Sequence, residues 1–163
     1  MSATALLNDL SLMIPELMLA VGALALLMVG VFWKNEAAGA RIVMRLSTVL
    51  LVAAAAVAVL TAGQGPATLF GGAFAVDSFA LYAKTAVFLA GAVALLLASR
   101  YLETENLSKP EYPVLVLLAT LGMAFMVSAD DLITLYLGLE LQSLALYILA
   151  AFNRDSLRAS EAG

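Results

Sequence analysis

The chain has 163 residues, of which 64% are hydrophobic and only 12% charged, with a mean hydropathy of +1.03 and a net charge of −4. Soluble domains carry about 25% charged residues, so this is the composition of an integral membrane protein, and it offers no basic patch for nucleic acid. With neither cysteine nor histidine, the chain holds no disulfide, thiolate-bound iron–sulfur cluster or histidine-ligated haem, and few ligands for zinc.

Five apolar segments are long enough to cross a bilayer. They lie at about 12–33, 42–62, 79–101, 113–129 and 132–152. The expected fold is a single all-α transmembrane unit of five helices over 1–163. The first segment is not a cleaved signal peptide, although "AGA" at 38–40 resembles a cleavage site. The part before it carries Asp9 and no base, and its apolar run is longer than a typical signal core. Pro15 suits a first helical turn, and Glu16 beside it is read as a helix-start acid at the positive end of the macrodipole. The second segment contains "AAAA" at 53–56. Residues 63–78, rich in glycine, read as a loop.

The third segment holds Lys84, about 8 Å in from its first residue by helical rise. Two readings are open. Lys84 snorkels to the interface near Asp77, seven residues earlier, or it pairs across helices with an acid on the fifth segment. The same segment has Ala86, Ala90, Ala94 and Ala98 at four-residue spacing, a stripe expected to pack on a neighbouring helix.

The fifth segment carries one ionisable acid, Glu140, near the middle of a helix roughly 31 Å long. A carboxylate there costs about 2.5 kcal/mol or more. Tyr136, Glu140, Ser143 and Tyr147 follow one another at intervals of four, three and four, so they share a face, while Gln142 lies off it. This polar seam must meet protein or water rather than lipid. Glu140 is therefore either a proton or ion relay or hydrogen-bonded glue between helices.

Seven of the eight basic residues fall on alternate loops: Lys34, Arg41 and Arg45, then Arg100 and Lys109, then Arg154 and Arg158. The positive-inside rule then predicts an N-terminus outside and a C-terminus on the cytoplasmic side.

"LYLGLELQSLALYIL" within "DDLITLYLGLELQSLALYILAAFNRDSLRASEAG" resembles the fifth helix of the antiporter-like subunits of respiratory complex I, the proton-pumping NADH–quinone oxidoreductase. "PEL" at 15–17 and "VDSFALY" at 76–82 resemble their first and third helices. The resemblance implies a proton-translocating membrane-arm subunit in a bacterial inner membrane rather than a mitochondrial one. Its partners would be other membrane-arm subunits and the lipid bilayer. It would bind no cofactor itself, with NADH, FMN, iron–sulfur clusters and quinone elsewhere in the complex. It also implies that Glu140 is the proton-relay carboxylate, paired in that family with a lysine on the seventh helix. That helix lies beyond this sequence, which therefore reads as the N-terminal portion of a longer subunit. Two rival readings are an Mrp-type cation/proton antiporter subunit and a structural or assembly membrane protein.

Overall fold

The computed structural model describes residues 9–33, 35–61, 66–105 and 107–153. Five long helices form a bundle: α1 (Ile14–Phe32), α2 (Glu36–Thr61), α3 (Ser78–Thr104), α4 (Glu111–Ser128) and α5 (Leu132–Ala150). All five are long and apolar enough to cross a membrane. The chain is a multi-pass membrane protein. Lys34, Arg154 and Arg158 lie outside the described residues, as do Gly63 and Gly65.

Local chemistry sets the helix starts. Pro15 occupies the first turn of α1, where its missing N–H costs nothing. The Asn35 side chain accepts from the Ala38 N–H at 3.1 Å, so α2 begins at Glu36, six residues before its apolar run. Asp77 caps α3 by accepting from the Ala80 N–H at 2.7 Å. Asp131 caps α5 in the same way through the Thr134 N–H at 2.6 Å. That backbone hydrogen bond holds the Asp131 carboxyl below the usual carboxylate range.

Residues expected to be loop contain a small β-hairpin. β1 (Ala67–Leu69) pairs antiparallel with β2 (Phe74–Val76). The turn between them puts Gly71 at φ +71° and Gly72 at φ +100°, the left-handed region where a glycine meets no Cβ penalty. The hairpin is tied to the bundle at two points. The Asp130 N–H donates to the Ala73 carbonyl at 3.1 Å, and the Phe70 N–H donates to Asp9 Oδ2 at 3.2 Å. Leu69, Phe74 and Val76 are buried with Leu12 and Met13 in a small apolar cluster. The hairpin thus plugs one end of the bundle.

The main core lies among α1 to α4, around Leu19, Val43, Leu51, Ala54, Phe88, Leu95 and Leu117. In α2 the alanine run packs in part, with Ala54, Ala55 and the later Ala58 buried and Ala56 exposed. In α3 most of it does not. Ala86, Ala90 and Ala94 are exposed, and the buried face is instead Lys84, Phe88, Gly91, Ala92 and Leu95. The α3 stripe is corrected accordingly: three of its four alanines face outward, and Ala98 alone among them packs against the core.

A backbone-to-backbone helix approach lies elsewhere, between α4 and α5. A Cβ on Gly122 would stand 2.7 Å from the Gln142 backbone N and 2.8 Å from the Gly138 carbonyl O. These are backbone atoms of a packed helix and cannot swing aside. Gly122→Ala is therefore expected to destabilise the protein by about 1–3 kcal/mol, lowering its thermal midpoint. Ala90→Leu, on the open face of α3, should leave that midpoint unchanged within the described bundle. Equal thermal midpoints for the two variants would show that the α4–α5 contact is not this close.

Candidate functional site

Two places hold ionisable groups inside the apolar part of the bundle. The first is formed by α1 and α3, two helices with little other direct packing between them. Glu16 Oε1 lies 2.5 Å from Lys84 Nζ, with both side chains at most 2% exposed. The Lys84 Nζ also sits 4.6 Å from the centroid of the Phe74 ring, a cation–π contact supplied by the hairpin. Phe74 is held edge-on against Phe125 of α4. The ion pair thus joins α1 to α3 under the Phe74 ring of β2, which is in turn braced by α4.

This arrangement corrects both readings of Lys84. Lys84 neither snorkels toward Asp77 nor reaches Glu140. Asp77 spends its carboxylate on the α3 cap. Glu16 is the expected acid in the first turn of α1, and it is in addition buried and ion-paired. The sequence signal was the pair itself: one intramembrane cation and one near-terminal acid, with a helix register that turned both inward. The pair is sparsely supported. Oε2 of Glu16 has no hydrogen-bond partner among the described residues, and the Oε1 contact is an ion pair rather than a regular hydrogen bond.

The second place is α5. Glu140 lies in the middle of Leu132–Ala150 and is half-buried. The Tyr136 hydroxyl, one turn away, interacts with its carboxylate. Ser143 is half-buried, and Tyr136 and Tyr147 are each 58% exposed, so the expected seam forms as a continuous face. That face points away from the bundle. Only 11% of the α5 span is buried, against 50% of α4. No cation stands within ion-pairing distance of Glu140 among the described residues, since the single ion pair there is Glu16–Lys84. Glu140 is thus an intramembrane carboxylate on an uncovered polar face, with the chain's own intramembrane lysine already engaged.

Residues 129–163 match the family described as NADH:quinone oxidoreductase/Mrp antiporter, transmembrane; this stretch includes all of α5. Over 163 residues, the whole of this chain and 34% of the relative, the sequence is 58% identical to NADH-quinone oxidoreductase subunit N of Maricaulis maris (strain MCS10). It is 52% identical over 155 residues to subunit N of Paramagnetospirillum magneticum (strain AMB-1), covering 95% of this chain and 31% of that one. It is 47% identical over 163 residues to subunit N 1 of Rhizobium meliloti (strain 1021), covering 100% and 33%. The chain spans about a third of the length of these relatives.

Proposed function

We propose that this chain, homologous along its whole length to subunit N of the NADH-quinone oxidoreductases, works as part of a proton-translocating membrane subunit with Glu140 as its relay carboxylate. The observation that carries this reading is Glu140 itself: mid-helix, on the open polar face of α5, without a cation among the described residues. Burial in a low-dielectric surrounding favours the neutral acid, and a nearby cation favours the carboxylate. A carboxyl whose cationic neighbour approaches and withdraws therefore takes up a proton in one state and gives it up in the other. Tyr136, Ser143 and Tyr147 supply hydroxyls along the same face through which that proton is handed on. The cation comes from a segment or subunit that covers α5.

In this reading NADH oxidation and quinone reduction belong to other subunits, and this chain contributes to the oxidoreductase by moving protons in a bacterial inner membrane. Its partners are the adjoining membrane subunits. Replacement of Glu140 by Gln, followed by proton uptake into vesicles, tests the relay directly.

The proposed orientation places the hairpin outside and the Arg41–Arg45 end on the cytoplasmic side, following the alternation of basic residues. The chain has no cysteine, so single cysteines can report on it. Thr68→Cys in the hairpin is expected to react with a membrane-impermeant maleimide from the outer face of sealed vesicles. Lys109→Cys, before α4, is expected to react only from the inner face. Labelling of both from one side would overturn the topology.

A further inference from the structure

Between the start of α2 and the end of α3 runs a groove of about 490 Å³. Its mouth carries Arg41, Arg45 and Glu103, and its deeper wall is built from Met44, Val49, Leu95 and Leu96. Arg41 and Arg45 are separated by four residues, so one helix face presents both guanidinium groups. Neither has a carboxylate within ion-pairing distance among the described residues; Arg41 Nε donates only to the Ala37 carbonyl of its own helix at 3.3 Å. Glu103 stands at the mouth without closing on them, which leaves a net positive charge. Deeper in, Val49 is 64% and Leu96 61% exposed, an outward-facing apolar surface over a floor of buried Met44 and Leu95. From Arg41 to Val49 the helical rise is about 12 Å, from the level of a headgroup well into the level of acyl chains.

We propose that this groove is a specific site for one anionic phospholipid, with the phosphate between Arg41 and Arg45 and part of an acyl chain along Val49 and Leu96. Planar guanidinium forks match phosphate oxygens two at a time. Two unpaired cations against one carboxylate favour a headgroup of net negative charge over a zwitterion. The Glu103 carboxylate accepts from a headgroup hydroxyl, so phosphatidylglycerol fits all three charged residues. The inference rests on the groove alone and holds for either orientation and whether or not Glu140 carries protons.

The test uses the full-length protein in its native assembly, stripped of lipid and titrated with radiolabelled phosphatidylglycerol. Wild type should bind it saturably, and the double variant R41A/R45A should bind it roughly 30-fold more weakly, the loss of two basic contacts at a headgroup. Val49→Trp, which fills the apolar half but keeps both charges, should also weaken binding, and it keeps the test open if R41A/R45A does not assemble. Arg100→Ala, on α3 but outside the groove, should bind as wild type does. Undiminished binding by R41A/R45A or, where that variant does not assemble, by Val49→Trp overturns the proposal. Phosphatidylethanolamine bound as tightly as phosphatidylglycerol overturns it too, as does a neighbouring polypeptide seated in the groove of the intact assembly.

Discussion

Glu16→Gln is expected to destabilise the protein by about 3–5 kcal/mol, because it leaves the Lys84 ammonium buried without a counter-charge. Both side chains are at most 2% exposed, so water cannot replace the lost partner. The Phe74 ring remains above Nζ, but a cation–π contact contributes on the order of 2 kcal/mol even when desolvated, too little to offset the missing carboxylate. Lys84→Met should cost a similar amount by stranding the Glu16 carboxylate, whose Oε2 already lacks a partner among the described residues. The double variant Glu16→Gln/Lys84→Met should recover much of the loss, since an apolar replacement of a buried pair is often neutral or better. Thermal denaturation of the purified protein and of each variant measures this. Additive losses in the double variant would show that the two residues do not act as a pair. The hairpin gives a second readout. With the pair broken, β1 and β2 should become more susceptible to proteolysis, because Phe74 packs directly on Lys84.

Glu140→Gln is expected to abolish most proton translocation while the protein still assembles. The amide keeps the shape and can still bond the Tyr136 hydroxyl, but it cannot take up or release a proton. Its cost to folding should be small. Glu140 is only half-buried and holds no ion pair among the described residues, so nothing charged is stranded by its removal. Here the two acids of the bundle part company: neutralising Glu16 should damage stability, and neutralising Glu140 should damage function. Glu140→Asp retains a titratable group one methylene shorter and should retain part of the activity. The measurement is proton uptake or membrane potential in vesicles, normalised to the amount of assembled protein. Near-normal pumping by the Gln variant would remove Glu140 from the relay and leave it as helix glue.

The alternation of long apolar runs with polar breaks was enough to place all five helices within a few residues, because hydropathy along one chain reports directly on immersion in lipid. The exception at the start of α2 has a local cause, the Asn35 cap, which carries the helix beyond its apolar run to Glu36. The seam of α5 was equally legible, since residues at three- and four-residue spacing share a helix face whatever surrounds them. The hairpin was not, because strands of three residues are too short to show a period, and only their seat against Asp9 and Asp130 holds them.

Partner choice was also out of reach of the one-dimensional pattern. In a membrane helix the lipid-facing and protein-facing sides are both apolar, so periodicity does not say which side is buried. That is why three of the four alanines of the regular α3 stripe turn outward while Gly122 and Gly138, with no pattern around them, bring α4 and α5 together backbone to backbone. It is also why Lys84 meets Glu16 rather than Asp77 or Glu140. The sequence determined which residues enter the membrane and which of them are costly there. The tertiary structure decided which costs are met inside this chain, at Glu16 and Lys84, and which is left facing outward, at Glu140, because charge compensation depends on distances of a few ångströms between helices that the sequence sets far apart.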